Sequence, residues 1–382
     1  MKKRKTSLLA LVVTCVLLFL TGCSPMPTQL HERLIVQGIG IDIKEDKYLI
    51  TMQVFDTQNG GGGDPGAAQD QITVVSAEGK SVLDAFNSIT LQTGKEPLYS
   101  QNLILLIGEQ AAKAGLSHCI DFFIRYYEAR PNVNLFIAKG KASDIMNSEA
   151  KGQLTLPKNI EMLADSGELN ASTKKSTVLS VVKDLRKPYS SSSAAVLSLQ
   201  DTENEAVVVS DGIALFSGDK LTGYLDREET TGLLLATGQV QRGTTVINVP
   251  NAGRVTYSFM GSQSEITANI QNNLPQFTID VSVDANIFEL DSESITPLPN
   301  EYFTVFADEL EAHVKAMIED TVHTALDGYG CDVFSFGRTL KKNQPDYFKG
   351  IEDNWFTIMK QAQYTVNVTA VIKRIGQEVN PL

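Results

Sequence analysis

Apolar and polar residues alternate over the first strand-forming stretch of the chain, residues 33–55. The alternation lies on both sides of Lys44–Lys47, a short charged stretch of the kind found in tight turns. A period of two predicts β-strands, and two such strands around a short turn predict a β-hairpin. Residues 57–70 follow with a glycine-rich composition that is typical of a surface loop.

Helical spacing interrupts these strand patterns in the rest of the first half. Ser81 precedes Val82, Ala85, Phe86 and Ile89, whose spacing predicts a helix capped by the serine. Buried strands are predicted at "NLILLIG" and "NVNLFIA", with helices between and after them. Strands and helices mix without strict alternation, so the pattern predicts an α+β fold with mixed sheets flanked by helices.

The second half contains the longest helical pattern. It covers residues 299–330, with its apolar stripe at Phe303, Phe306, Leu310, Val314, Met317 and Val322. Asp226 and Glu229 have the spacing of a capping box, which predicts another helix start. Strict alternation over 277–287 and 364–372 predicts two strands.

Composition divides the chain into regions. Residues 188–205 are rich in serine and other small or polar residues, which predicts a linker or long loop. We therefore expect one or more α+β domains over 33–187 and a C-terminal α+β region over 206–382. The pattern leaves open a division of this C-terminal region into two subdomains near residue 262.

The first residues of the chain have the pattern of an export signal. Lys2–Lys5 are all basic, and residues 7–20 form an uncharged apolar run. This run is shorter than the about 20 apolar residues that a spanning helix needs. It ends in "LTGC", the pattern of a bacterial lipobox. We expect residues 1–22 to be a lipoprotein signal peptide. Cys23 would then carry a diacylglyceryl thioether and an N-acyl group, and residues 23–32 would form a lipidated tether.

The charge of the chain fits such an anchor. Four positive charges leave with residues 1–22, so the formal net charge changes from −12 to −16. A chain this acidic lacks the basic face of a nucleic-acid-binding protein, and anionic lipid headgroups repel it. Two acyl chains suffice for stable membrane attachment, whereas one is marginal. The alternative is an ordinary signal peptide with an incidental cysteine.

Catalytic and cofactor motifs are absent from the sequence. Gly79-Lys80-Ser81 lies where a P-loop would, but that motif needs a glycine five residues earlier, where Val74 stands. A glycine turn before a helix capped by Ser81 is the better interpretation. The sequence has no Gly-x-Ser-x-Gly elbow. We therefore predict no enzymatic activity, no cofactor and no metal.

Two histidines follow glutamates at helical spacing, His313 after Glu309 and His323 after Glu319. Ten residues of helix turn by about 280°, so the two pairs cannot converge on one metal ion. We interpret them as surface ion pairs.

Two cysteines remain beyond the signal and the lipobox. A disulfide between Cys119 and Cys331 stays open for an exported protein, and two buried free thiols are the preferred interpretation.

Several stretches, taken in order and spacing, carry a family resemblance. They are the lipobox, "ERLIVQGIGID", "GKSVLDAFNSI", "SQNLILLIGEQAAKAGL", "DFFIRYYEAR", "DGIALFSGDKLTGYL", "ETTGLLLATG", "YGCDVFSFGRTL" and "VNVTAVIKRIG". Over nearly its whole length the chain resembles the Ger(x)C spore germination proteins, the lipoprotein C subunits of germinant receptors in endospore-forming bacteria. The Gly60–Gly63 insert and Cys331 depart from the family pattern.

The resemblance implies a non-enzymatic subunit of a receptor that senses small nutrients. Its partners would be the membrane-embedded A and B subunits, and its location would be the outer face of the spore inner membrane. Cys23 is the one functional residue that transfers. Gly212, Gly223, Asp332 and Gly337 match family landmarks, and we expect roles in the fold for them.

A solute-binding lipoprotein that delivers a small ligand to a membrane transporter is the alternative function. Such proteins share the export signal and the lipid, but they are usually built from two doubly wound α/β lobes around a cleft. The hairpin start and the strand-rich second half argue against that architecture.

Overall fold

The structure of the chain is a computed structural model. It describes residues 32–55, 72–148, 154–202, 206–250, 252–290 and 301–375. The expected signal peptide, Cys23, the tether up to residue 31 and the Gly60–Gly63 insert lie outside the described residues.

A mixed sheet of nine strands organises the first part of the chain. Its strands are β1 (Arg33–Lys44), β2 (Lys47–Phe55), β3 (Ile72–Gly79), β4 (Glu96–Leu98), β5 (Ile104–Gly108), β6 (Asn134–Ala138), β7 (Ser192–Asp201), β8 (Ala206–Ser217) and β9 (Lys220–Leu225). The order is β3-β2-β1-β5-β6-β7-β8-β9, and β4 pairs with the start of β1. β1, β5, β6 and β7 run parallel in the centre, and antiparallel strands flank them on both sides.

Local turn chemistry fixes the first hairpin. Lys44 pairs with Lys47 across the turn, and the two residues between them, Glu45 and Asp46, have φ of 49° and 63°. Positive φ at both central positions is the backbone of a type I′ turn, whose twist matches that of the strands. The predicted hairpin is confirmed.

Helices cover both faces of this sheet. They are α1 (Val82–Thr93), α2 (Glu109–Ala114), α3 (Leu116–Arg125), α4 (Ala142–Met146), α5 (Leu156–Leu169) and α6 (Val178–Leu185), and a 3₁₀ turn spans Tyr99–Gln101. α1, α2, α3 and α6 pack on one face, and α4 and α5 pack on the other. Every residue of β5 and β6 is buried, as expected for central parallel strands covered on both sides.

The helix predicted to begin at Ser81 is confirmed. Ser81 Oγ accepts a hydrogen bond from the backbone N–H of Asp84 at 3.1 Å. Val82, Ala85, Phe86 and Ile89 are its buried residues.

A second sheet and five further helices make up the remaining residues that the structure describes. The strands are β10 (Gly243–Val249), β11 (Gly253–Gln271), β12 (Leu274–Leu290) and β13 (Gln363–Ile375), in that order, with β12 and β13 parallel. The helices are α7 (Arg227–Ala236), α8 (Glu301–His323), α9 (Phe336–Asn343), α10 (Pro345–Ile351) and α11 (Trp355–Met359), with a π-helical turn at Thr324–Gly328 and a 3₁₀ turn at Glu352–Asn354. The predicted α+β class with two mixed sheets is confirmed.

The amphipathic patterns of the second half place its core. The apolar positions of β12 from Phe277 to Ile287 are buried alternately, so one face of the sheet meets the core. The stripe of α8 packs there, except for Phe303, which is 37% exposed. The predicted capping box is present, because Asp226 accepts from the N–H of Glu229 and Glu229 accepts from the N–H of Asp226.

The predicted linker over 188–205 is wrong for most of its length, because it contains strand β7. Ala194 and Ala195 lie between β6 and β8, where small side chains allow close packing. The sheet also continues past the predicted boundary, since β8 and β9 belong to it.

The two sheets share core residues, and neither is divided near residue 262. Ile213, Leu215 and Leu225 of the larger sheet belong to the same hydrophobic cluster as the smaller sheet. β11 pairs with β12 on both sides of residue 262, with a bulge between Phe259 and Gly261. The bulge bends the strand without interrupting the sheet.

Candidate functional site

A cleft of about 860 Å³ lies between α1 and α3. It joins a smaller cavity of about 180 Å³, because both are lined by Leu83, Phe122 and Tyr126. Arg33 lines the smaller cavity. We call the two cavities together the α1–α3 groove.

Aromatic rings form the floor of the α1–α3 groove. The rings of Phe122 and Tyr126 stack with centroids 4.9 Å apart, and Tyr99 meets Phe86 and Phe122 edge-on at 5.1 and 5.0 Å. Burial raises the pKa of Tyr99, which keeps its hydroxyl protonated. The floor of the groove is therefore formed by packed aromatic rings.

Polar groups lie at the wide end of the groove. Lys80 and His118 line it, and Arg125 Nε donates to Asp121 Oδ1 at 2.7 Å on the rim. The hydroxyl of Ser81 serves as the cap of α1. Among the groove residues that the structure describes, no nucleophile is hydrogen-bonded to a base.

The narrow end of the groove holds the start of β1. Arg33 Nη2 donates to Glu128 Oε2 at 2.6 Å and to the carbonyl of Pro97 at 3.3 Å. Both charged side chains are mostly buried, at 16% and 18% exposure. The hydrogen bond from Arg33 to Glu128 raises the pKa of the guanidinium further. The first described strand is therefore held firmly where the predicted tether ends.

A buried carboxylate lies at the junction of the two sheets. The backbone N–H groups of Phe336 and Gly337 donate to Asp332 Oδ1 and Oδ2 at 2.9 and 2.7 Å, and Trp355 Nε1 lies 3.3 Å from Oδ2. Burial raises the pKa of Asp332 to about 6, against the opposing effect of these donors. The backbone of Asp332 forms hydrogen bonds with Ser191, the residue directly before β7. This arrangement connects the start of α9, which packs on the smaller sheet, to the residue before β7 of the larger sheet.

The three landmark glycines allow close approach or an unusual backbone. A Cβ on Gly223 would lie 2.1 Å from the ring of Tyr329, and one on Gly337 would lie 2.7 Å from the carbonyl of Tyr189. Gly212 has φ of +83°, a conformation that L side chains rarely adopt. These contacts give all three glycines a role in the fold.

Cys119 and Cys331 are both free and buried, which confirms the preferred interpretation. Burial raises the pKa of Cys119 to about 12, and it raises the pKa of Cys331 as well. Neither thiol is therefore activated as a nucleophile.

The two predicted histidine–glutamate pairs are replaced by other contacts. His313 Nε2 lies 3.0 Å from Thr245 Oγ1, and His323 Nε2 lies 3.7 Å from Asp327 Oδ2. Thr245 comes from the neighbouring strand β10, which spacing within the helix does not reveal, whereas Asp327 lies four residues after His323, at helical spacing. Among the described residues, no three His, Cys, Asp or Glu side chains are grouped to hold a metal ion.

Sequence reasoning missed the groove and the Arg33–Glu128 pair, and it gave Asp332 a role in the fold without identifying its contacts. The first two depend on contacts between residues far apart in the chain. For Asp332 there was a local signal, because an aspartate a few residues before a helix often accepts from its first N–H groups. In the part of the chain that the structure describes, no helix has the length and apolar character to cross a membrane.

Comparison with known proteins gives a consistent result. The chain is 23% identical to spore germination protein B3 of Bacillus subtilis (strain 168), over 96% of this chain and 97% of that protein. It is 21% identical to spore germination protein YndF of the same organism, over 98% of both. The crystal structure of the GerBC protein has the same fold, with a TM-score of 0.58 at 18% identity, over 88% of this chain and 97% of that one.

Two family models match successive parts of the chain. Residues 27–199 match the spore germination protein N-terminal domain, and residues 211–376 match the spore germination B3/GerAC-like C-terminal domain. These regions include both sheets and the residues that join them. The chain therefore belongs to the Ger(x)C family of spore germination proteins.

Proposed function

We propose that this protein is a lipid-anchored, non-enzymatic subunit of a nutrient germinant receptor that acts in spore germination. The match of both halves to the spore germination family carries the proposal. Its partners are the membrane-embedded A and B subunits, and its place is the outer face of the spore inner membrane. The lipid on Cys23 holds it there.

The position of Cys23 supports the anchor. The cysteine follows a basic start and an apolar run, and it precedes the first matched residue by four positions. Two acyl chains on one residue give stable attachment. The acidic chain would need such an anchor at an anionic membrane.

The geometry of the described residues supports a binding role. Both remaining thiols are buried with raised pKa values, and the α1–α3 groove is aromatic. The alternative of a solute-binding lipoprotein gains no support from the two mixed sheets, which differ from two doubly wound lobes.

A pair of cysteine substitutions tests the proposal. Cys23→Ala removes the acylated thiol, and Cys15→Ala is its matched control in the apolar run of the signal. We expect wild-type and Cys15→Ala chains to incorporate labelled palmitate and to sediment with membranes. The Cys23→Ala chain should do neither.

Spores carrying each variant test the role in germination. The Cys23→Ala spores should germinate more slowly with nutrients and normally with a trigger that acts downstream of the receptor. Equal nutrient responses in the two variants would contradict the anchored receptor role.

A further inference from the structure

Two strongly exposed apolar side chains, Leu91 on α1 and Tyr127 just after α3, lie near the narrow end of the α1–α3 groove. Leu91 and Tyr127 are 86% and 85% exposed, the highest values among large hydrophobic side chains in the described residues, where Phe288 follows at 65%. Leu83, on α1 like Leu91, and Ile124, near the end of α3 and three residues before Tyr127, are 51% and 42% exposed. Clustered exposure of this kind marks a contact surface.

Both projecting residues lie close to the start of β1. The hydroxyl of Tyr127 is 3.3 Å from Glu128 Oε1, and Glu128 holds Arg33. Leu91 follows Thr90, which lines the narrow end of the α1–α3 groove together with Arg33. Leu91 and Tyr127 therefore each follow a residue, Thr90 and Tyr126, that lines the cavity beside Arg33 at the start of β1.

The length of chain before Arg33 limits how far this end can be from an anchor at Cys23. Nine residues, 24–32, separate the two. Fully extended, they span about 30 Å. Arg33 is fixed by its pair with Glu128, so the surface around it stays within that distance of the headgroups.

The charges at this end suit a lipid surface better than those of the whole chain. Arg33 neutralises Glu128, and Arg125 neutralises Asp121. The full chain carries a formal net charge of −12. These pairs lower the repulsion that an acidic surface would meet at anionic headgroups, and Glu96 is the other carboxylate that lines the groove.

We propose that the surface formed by Leu91, Tyr127 and the rim of the α1–α3 groove docks on the bilayer. The inference rests on the proposed anchor at Cys23 for the length of the tether. Leu91 enters the acyl boundary, and the Tyr127 ring lies at headgroup depth with its hydroxyl among polar groups, where tyrosine is enriched. The smaller sheet then faces away from the membrane.

Fluorescence of a labelled chain tests the docking independently of acylation. The mature chain, with a hexahistidine segment in place of Cys23, is bound to vesicles of phosphatidylethanolamine, phosphatidylglycerol and a nickel-chelating lipid. A Leu91→Cys variant carries an environment-sensitive dye, and a Phe288→Cys variant is the matched control on the smaller sheet. Cys119 and Cys331 are buried, so the introduced thiol takes the label.

We expect the dye at position 91 to shift to the blue on vesicle binding and to be quenched by lipids with brominated acyl chains. The dye at position 288 should show neither change. A Tyr127→Cys variant repeats the measurement if the first variant folds poorly. Docking on lipid would be overturned if the dyes at positions 91 and 288 gave equal spectra. It would also be overturned if the shift at position 91 required added A and B subunits.

The two proposals can fail separately. Absence of palmitate on Cys23 would contradict the anchor and leave the vesicle experiment valid, because its anchor is the hexahistidine segment. Failure of the dye to shift on vesicles would contradict the docking and leave acylation untouched.

Discussion

Ser191 and Asp332 exchange two hydrogen bonds. The N–H of Ser191 donates to the carbonyl of Asp332 at 3.1 Å, and the N–H of Asp332 donates to Ser191 Oγ at 2.9 Å. One residue precedes β7 of the larger sheet, and the other precedes α9 beside the smaller sheet. The pair therefore joins the two parts of the chain at a buried point.

Removing the Ser191 hydroxyl should weaken this junction. Ser191→Ala leaves the buried N–H of Asp332 without its acceptor, which typically costs about 1–3 kcal/mol. Urea unfolding measures the loss. Ser282→Ala, on the exposed face of β12, is the control and should change stability by less than about 0.5 kcal/mol. Equal effects would show that the hydroxyl does not stabilise the junction.

The pKa of Asp332 predicts a pH dependence of stability. Its folded value of about 6 lies above the ordinary value near 4. The folded state therefore binds the proton more tightly than the unfolded state does. The stabilisation that Asp332 contributes to the fold is fully present below about pH 4 and is lost as the pH rises through about 6.

Asp332→Asn, which cannot titrate, isolates this contribution. The stability advantage of wild type over the variant should be larger near pH 4 than near pH 7.5, measured by urea unfolding at each pH. An advantage that grows with pH would show that the N–H donors outweigh burial.

Gly223 should not tolerate a methyl group. A Cβ there would lie 2.1 Å from the Tyr329 ring, so Gly223→Ala should lower stability by about 1–3 kcal/mol through overpacking. Tyr329→Ala should relieve most of this cost in the double variant. Gly350→Ala is the control, because no atom lies within 4 Å of its added Cβ and alanine favours its helix. A cost that persists without the Tyr329 ring would contradict the clash.

The two arginine pairs near the groove should differ in strength. Arg33→Met leaves the mostly buried Glu128, which is 18% exposed, without its cation. We therefore expect the free energy of unfolding to fall by about 3 kcal/mol. Arg125→Met removes an exposed pair and should cost at most about 1 kcal/mol. Thermal unfolding measures the stability of both variants. A similar loss of stability in the two would contradict the structural role given to Arg33.

The thiols should react in a defined order. In a chain that begins at Cys23 and carries no lipid, one thiol should react quickly with a disulfide reagent, while Cys119 and Cys331 react only on unfolding because they are buried. Lipidated chain should lack the fast reaction. A second fast thiol in the folded chain would contradict their burial.

Local patterns were enough for the features that neighbouring residues determine. The turn at Glu45 and Asp46, the cap at Ser81 and the alternation of β12 could all be predicted. Strand β7 could not, because its serines and alanines have the composition of a loop. Tertiary partners supply the bonds of the buried Ser193: Ser176 donates to its carbonyl, and Lys174 donates to its hydroxyl.

The groove shows the same limit. Phe86, Tyr99 and Phe122 come from separate elements, and each reads as a core residue in its own stretch of sequence. Only their packing creates the floor between α1 and α3. The predicted lipid site at Cys23 is a short contiguous motif, which is why sequence suffices to propose it.

The pairing of β7 with β8 has a consequence for how such proteins diversify. The first family region ends at residue 199 and the second begins at residue 211, so each contributes one strand of that pair. A fragment that ends after β7 would expose a full row of unpaired backbone groups, which invites aggregation. Hybrids made by recombining relatives between the two regions must therefore preserve a matching strand edge, and the two regions are inherited most safely as one unit.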